Sequence, residues 1–121
     1  MSMTYDKDAD NTVVVIRNGA TRVKSVTVRQ RTFDAPVLFL KLFDDATVTM
    51  ASQAADFSIR VPAGRSDVDA QVAKVVFSGN EGGLIFATAL TYAVSKLNTV
   101  SDTTPDAGDE PEVIINWEPL G

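Results

Sequence analysis

The sequence predicts an all-β protein, an antiparallel β-sandwich of jelly-roll-like form with about eight strands. Its short apolar runs either alternate with polar residues or are rich in β-branched residues, as half-buried strands are. Turn-forming residues separate these runs, and no segment outside residues 82–97 has a convincing helical pattern. The chain has 121 residues, of which 45% are hydrophobic, so we expect one core and one domain. The clearest strands are predicted at residues 12–17, 21–29, 37–43, 57–61, 68–77, 82–95 and 113–117.

The first two strands flank an Asn-Gly pair, Asn18 and Gly19. This pair tolerates positive φ angles and is typical of a tight hairpin turn. In the second strand, the step from Val23 to Val26 breaks the strict alternation and indicates a β-bulge. We therefore expect a β-hairpin with a bulge.

The third strand follows Pro36, which restricts its predecessor to extended conformations. This strand has large apolar residues at both odd and even positions, in the run VLFLKLF. Such two-sided hydrophobicity predicts that both faces are covered, or that one face lies in the core and the other against a partner. Residues 44–56 are then a long connection.

The next two strands differ in regularity. Residues 57–61 alternate cleanly and end in the turn sequence Pro-Ala-Gly. Residues 68–77 change phase, because Val68, Ala70 and Val72 share one side and Val75 and Phe77 the other. This change predicts a bulge or bend near Ala73 and Lys74.

The segment GGLIFATALTYAVS, residues 82–95, fits either a helix or a strand. A helix would group Phe86, Leu90 and Val94 on one face. A strand would separate large residues from the small set of Ala87, Ala89, Thr91, Ala93 and Ser95, and this alternation favours the strand. We expect a central or near-central strand, with the small side chains facing a close neighbour and the large ones directed inward: Phe86, Leu90, Tyr92 and Val94.

The two ends of the chain lack a strong strand pattern. Residues 1–11 are polar and acid-rich and predict a flexible arm. Residues 12–117 form the predicted β-sandwich domain, and residues 118–121 a short tail. Residues 98–112 are almost devoid of apolar side chains. A segment of this length is long for a loop in a compact domain.

Composition argues against catalysis and against several classes of ligand. The chain has no cysteine and no histidine, which excludes thiol nucleophiles, imidazole bases and the usual zinc ligands. The closest carboxylate pairs are Asp44 with Asp45, Asp67 with Asp69 and Asp109 with Glu110. These are typical of solvated turns rather than of a catalytic dyad. We predict that the chain is not an enzyme and binds no cofactor.

Metal, nucleic acid and membrane are also disfavoured as ligands. The carboxylates of Asp102, Asp106 and Asp109 supply oxygen ligands, but their spacing does not match a calcium-binding loop, and we predict no metal site. The net charge is −5, which disfavours free nucleic acid. No apolar run has the roughly 20 residues of a membrane helix.

The placement of charge is more informative than its total. Several cations cluster around the first two strands, and together with Trp117 they form the candidate protein interface: Arg17, Arg22, Lys24, Arg29 and Arg31. They would meet acidic groups on a neighbouring copy or on a larger shell. The alternative is a solvated strand face, and Trp117 is equally compatible with a position in the core.

Four segments in a fixed order carry a resemblance to a known family. They are PVLFLKLFDD, IRVPAG, GGLIFATALTYAVS and SDTTPDAGD leading to VIINW. Their order resembles small tailed-phage and prophage virion structural proteins, in which an extended strand, a PAG turn, a glycine-led segment and a DTT loop precede the final strand. The resemblance spans roughly residues 33–117.

The resemblance implies a β-sandwich or jelly-roll module on a virion. We expect a capsid decoration (cement) protein that binds the major capsid protein as a homotrimer. It would lie on the capsid exterior and, during assembly, in the host cytoplasm. The alternative is a host-attachment or glycan-binding module of a head fibre or tail component.

Overall fold

A computed structural model of the chain describes residues 2–7, 9, 12–30, 37–49, 53–63, 71–77, 83–95 and 111–120. Within these residues there are nine strands and no helix. The strands are β1 (Ser2–Asp6), β2 (Val14–Arg17), β3 (Thr21–Gln30), β4 (Leu38–Phe43), β5 (Phe57–Val61), β6 (Gln71–Val76), β7 (Leu84–Phe86), β8 (Leu90–Ser95) and β9 (Glu112–Pro119).

The strands form two antiparallel sheets. Sheet A has the order β1-β9-β3-β6, with β7 also paired to β3, and sheet B has the order β2-β8-β4-β5. β6 and β7 lie along the same side of β3, since β6 pairs with residues 25–30 and β7 with residues 21–23. Counted as one interrupted strand, they leave two four-stranded sheets in the strand order of a jelly roll. The predicted all-β antiparallel sandwich is confirmed.

The hydrophobic core lies between the two sheets. Every second residue of β4 points into it, which is the period that a half-buried strand requires, and β3 follows the same period on either side of its bulge. Phe57 and Phe77 add an edge-to-face ring contact, with centroids 5.3 Å apart. The fully buried aliphatic side chains of β3 and β4 are Val23, Val26, Val28, Leu38, Leu40 and Leu42.

The first two predicted strands exist, but they do not pair as a hairpin. β2 belongs to sheet B and β3 to sheet A, so Asn18 and Gly19 lie in a link that carries the chain from one sheet to the other. The apolar sides of both strands therefore cover the same core from opposite sides. The predicted bulge is confirmed, because the pairing of β3 with β9 shifts register between Val23 and Ser25.

The segment at residues 82–95 is not one continuous strand. It divides into β7 in sheet A and β8 in sheet B. The predicted inward side chains are nevertheless correct, because all four belong to the main hydrophobic core: Phe86, Leu90, Tyr92 and Val94. β8 lies between β2 and β4, which confirms the central position.

β6 has no bulge near Ala73 and Lys74, so this form of the predicted bulge or bend is wrong. Gln71–Val76 pairs residue by residue with β3 without a register shift. Ala73 and Val75 pack against the core, whereas Val72 and Val76 are exposed. The sequence changes phase because this regular strand has apolar residues on both of its sides.

The predicted flexible arm contains strand β1, which is a correction. β1 pairs with β9 along its whole length, and two side-chain bonds fix its inner side. The Tyr92 hydroxyl donates to Asp6 Oδ2 at 2.6 Å, and Trp117 Nε1 donates to Thr4 Oγ1 at 3.0 Å. At the other terminus, β9 continues through Pro119 into the predicted tail.

Candidate protein interface

The outer side of sheet A, which we name the open face, is the candidate interface. Residues directly opposite each other in an antiparallel pair project to the same side of the sheet. The registers of β1, β9, β3, β6 and β7 therefore place one set of side chains together, away from the core. The open face consists of Met3, Tyr5, Arg22, Lys24, Ser25, Thr27, Arg29, Val72, Lys74, Val76, Ile85, Glu112, Ile114, Asn116 and Glu118.

The open face concentrates the exposed apolar groups of the molecule. Among the described residues, six large apolar side chains are exposed, and five of them lie on this face with exposed fractions of 50–64%: Met3, Tyr5, Val72, Val76 and Ile85. The sixth, Val15, belongs to sheet B. Single exposed apolar residues are ordinary on proteins, but their grouping on one face is typical of an interaction surface.

The apolar groups lie on two flanks of the open face. Met3 and Tyr5 are on β1, at one edge of sheet A, and Val72, Val76 and Ile85 are on β6 and β7, along the other edge. Side chains of β9 and β3 occupy the centre, and all of them except the half-buried Ile114 are polar. The face therefore has a polar middle between two apolar margins.

Cross-strand bonds order the polar middle. Arg22 Nη1 bonds Glu118 Oε1 at 2.8 Å, and Asn116 Nδ2 donates to Ser25 Oγ at 2.8 Å. The hydrogen bond from Arg22 lowers the pKa of the Glu118 carboxyl and prevails over desolvation, with help from the charge of Lys24. These pairs are only partly buried and therefore add little stability, but they hold the side chains in defined positions.

A second group of polar contacts connects β1, β9 and β3. The Tyr5 hydroxyl donates to Glu112 Oε2 at 2.6 Å. The other carboxylate oxygen of Glu112 lies 3.8 Å from Arg29 Nη1. Tyr5 thus joins its apolar flank to the polar middle.

Gly83 leaves room for the side chain of Arg22. A Cβ atom at Gly83 would lie 2.3 Å from Arg22 Cγ and 2.9 Å from the carbonyl oxygen of Val23. Neither distance is compatible with a real side chain. The absence of a side chain at Gly83 therefore permits the observed position of Arg22.

The predicted interface residues do not all lie together. Arg22, Lys24 and Arg29 are on β3 and reach the open face. Arg17 is on β2 of sheet B, where its Nε donates to the carbonyl oxygen of Ala20 at 3.3 Å. Trp117 packs against the core. Arg31 lies outside the described residues.

The sequence predictions missed the apolar members of the open face. The sequence does contain a signal for Val72 and Val76, because QVAKVVF has apolar residues on both sides of a strand. The prediction interpreted this pattern as a bulge, whereas the third strand with the same property was interpreted as two-sided. Met3 and Tyr5 had no such signal, because the segment around them is polar.

The candidate carboxylate pair of Asp44 and Asp45 has a structural role. Asp44 accepts bonds from the backbone N–H groups of Ala87, Thr88 and Ala89 at 3.1, 2.7 and 3.1 Å. Desolvation raises the pKa of Asp44, but these three bonds outweigh it and lower the pKa below its usual value. The bonds fix the link between β7 and β8.

Asp45 is held in place by contacts of its own. Its carboxylate accepts bonds from the Thr47 N–H at 2.9 Å and from Gln53 Nε2 at 3.1 Å. Both carboxylates are thus engaged within the fold. The other two predicted pairs and the acidic loop at residues 102–109 are outside the described residues.

The described part of the chain shows no grouped donors for a metal ion, since no three of its acidic side chains come together in a suitable cluster. It also has no helical segment of the length and hydrophobicity that a bilayer requires. Comparison of the chain with protein-family models, with curated proteins and with solved structures gave no match.

Proposed function

We propose that the chain is a phage virion structural protein that binds a capsid exterior as a homotrimer and reinforces it. The observation that carries this proposal is the open face, where five of the six exposed large apolar side chains of the described residues are grouped. Such a face serves binding by surface burial rather than catalysis. The resemblance of four sequence segments to tailed-phage virion proteins is the reason to propose a phage virion as the assembly.

The energetics of the face agree with a role in assembly. Burial of apolar area contributes about 25 cal/mol per Å², so a handful of half-exposed valine, isoleucine and methionine side chains supplies only a modest affinity for one copy. A trimer multiplies this affinity, because the second and third contacts form within an already bound complex. Weak single contacts are therefore sufficient for a decoration protein.

Binding to capsids tests the proposal directly. Capsids of the phage or prophage that encodes the chain are purified after deletion of its gene and mixed with the purified protein. We expect saturable co-sedimentation and a higher temperature of capsid disruption. Absence of both effects would contradict the proposal, and binding to a glycan array without capsid binding would favour the host-attachment alternative.

A further inference from the structure

One edge of the open face combines apolar side chains with a cation. This edge, which we name the β6–β7 flank, consists of Val72, Lys74, Val76 and Ile85. All four side chains are exposed, and the three apolar ones are exposed by half or more. Lys74 lies between the two valines on the same side of β6, because alternate residues of a strand project to one side.

Among the described residues, no carboxylate forms an ion pair with Lys74. Its partner across the sheet is Thr27, and its diagonal neighbours on β3 are Ser25 and Arg29. Diagonal neighbours lie about 7–8 Å apart, within reach of long side chains. Since Arg29 is itself a cation, these neighbours do not neutralise the Lys74 ammonium group.

The two carboxylates of the open face lie beside the arginines of β3. Arg22 Nη1 bonds Glu118 Oε1 at 2.8 Å, and Arg29 Nη1 lies 3.8 Å from Glu112 Oε1. These pairs leave Lys74, the exposed lysine of the face, without a counter-charge in the described part of the chain.

A partner that covers both valines of the flank also covers Lys74. Each valine is only about 7 Å away from Lys74 along the strand. Covering the valines therefore removes water from the ammonium group between them. An unpaired charge out of water is costly, so the covering surface should place a carboxylate at this point.

The described residues of a second copy are poorly suited to supply this carboxylate. Those outside the open face have four acidic side chains, Asp6, Asp44, Asp45 and Asp56. Each of them accepts at least one hydrogen bond within its own chain. A twofold contact between two open faces would bring like charge together. Another protein is therefore the favoured occupant of the flank.

We propose that the β6–β7 flank binds a surface of the capsid protein on which apolar side chains surround a carboxylate, and that Lys74 pairs with this carboxylate. The inference rests on the proposed function, which supplies the capsid as the partner. It adds the part of the open face that is covered and the chemistry of the covering surface. Specificity follows, because a capsid surface that is apolar throughout or basic would leave Lys74 unpaired.

Substitution of Lys74 by methionine tests the pairing. Methionine keeps an unbranched apolar side chain of similar length and removes the charge. With capsids purified after deletion of the gene, we expect the concentration for half-saturation to rise about tenfold or more for Lys74→Met and further for Lys74→Glu, because the partner carboxylate loses its counter-charge. Unchanged or tighter binding of Lys74→Met would show that the ammonium group stays in water and would overturn the inference.

Matched variants of sheet B locate the contact. Val76→Ser should weaken capsid binding, whereas Val15→Ser changes an exposed valine of sheet B and should not. Arg60→Met, which removes an exposed cation of sheet B, should also bind as the wild type does. Urea unfolding checks that every variant is folded. Equal losses for the flank and the sheet B variants would contradict the proposal.

Sedimentation equilibrium of the free protein checks for a second copy on the flank. We expect Lys74→Glu and Val76→Ser to leave the oligomeric state unchanged. Dissociation of the oligomer by both variants, with the sheet B controls unaffected, would assign the flank to a second copy and overturn the inference.

Cross-linking identifies the partner group. A carbodiimide joins amines to adjacent carboxylates, and we expect mass spectrometry of decorated capsids to find Lys74 linked to an aspartate or glutamate of the capsid protein. Lys74→Arg keeps the charge but not the amine, so it should bind capsids without forming this link. Links from Lys74 only to carboxylates of this chain would contradict the proposal.

The outcomes separate this inference from the proposed function. Capsid binding that Lys74→Met does not weaken would retain the function and reject the inference. Absence of capsid binding by the wild type would reject both.

Discussion

The outer faces of the two sheets differ in how far the chain itself covers them. On sheet B, the outward side chains of β4 and β8 are buried, including Lys41, Phe43, Thr91, Ala93 and Ser95. Partly buried Val13, Val48 and Ala55 pack over Phe43 and Ala93 there. On sheet A the corresponding outer face is open and carries five exposed large apolar side chains.

Val13 and the described residues of the connection between β4 and β5 form this cover, and polar contacts fix the connection. The backbone N–H of Asp44 donates to Asp56 Oδ2 at 2.7 Å, which joins the two ends of the connection. The Thr91 hydroxyl donates to the carbonyl oxygen of Asp45 at 2.6 Å. The chain therefore covers most of the outer side of β4 and β8, whereas Val15 of β2 and Arg60 of β5 remain exposed.

This difference shows that two-sided hydrophobicity has two structural outcomes. β4 has apolar residues on both sides because part of its own chain covers the second side. β6 also has apolar residues on both sides, but no described segment of the chain covers its outer side. Where the chain does not supply the second layer, a partner protein can supply it.

The largest expected effect comes from removing a side chain under the cover. Phe43→Ala should lower the free energy of unfolding by about 3–5 kcal/mol, because it leaves a cavity between β4 and the connection. Ile85→Ala on the open face should change it by no more than about 0.5 kcal/mol. Urea denaturation measures both, and equal losses would contradict the distinction between covered and open faces.

A smaller but clear loss is expected for Gly83→Ala. The added Cβ collides with Arg22 and with the carbonyl oxygen of Val23, and we expect a loss of about 1–3 kcal/mol. Combination with Arg22→Ala removes one of the two collisions. The double variant should therefore lose less than the sum of the single variants in a double-mutant cycle, and strict additivity would contradict this explanation.

Asp44 tests how the cover is anchored. Asp44→Asn should cost about 1 kcal/mol at neutral pH, because an amide replaces a carboxylate that accepts three backbone bonds. Thr88→Ala is the control, since it keeps the N–H group that donates to Asp44.

The same residue gives an expected pH dependence. The pKa of Asp44 is lower in the folded state than its usual value, so its stabilisation is present above that value of about 4. It is lost as the pH falls through the folded pKa. Unfolding at pH 7 and pH 3 should show a smaller difference for Asp44→Asn than for the wild type, and an unchanged difference would contradict this role.

The smallest effect is expected for the ion pairs of the open face. Arg29→Gln should change the free energy of unfolding by about 0–0.5 kcal/mol, because Arg29 is exposed and lies 3.8 Å from Glu112. A large loss of stability would show that the polar middle holds the sheet together.

The sequence predicted the inward residues better than the connections between strands. Phe86, Leu90 and Val94 follow an alternation that is local, and the structure buries them as expected. The link at Asn18 and Gly19 is also a local signal, but a local signal does not reveal whether the next strand pairs with the previous one or crosses to the other sheet.

Contacts between distant residues explain the remaining differences. β1 has no apolar pattern, and its place depends on Tyr92 and Trp117, which are 86 and 113 residues away from their partners in β1. The open face likewise joins five strands from both ends of the chain.

The sequence alone determined that this protein is made of strands and which residues of most strands face the core. Those properties depend on a two-residue period that neighbouring residues define. Only the tertiary structure decided the sheet to which each strand belongs, the place of β1 and the grouping of exposed apolar side chains on the outer side of sheet A. Those properties depend on pairing between remote segments, which local periodicity does not encode.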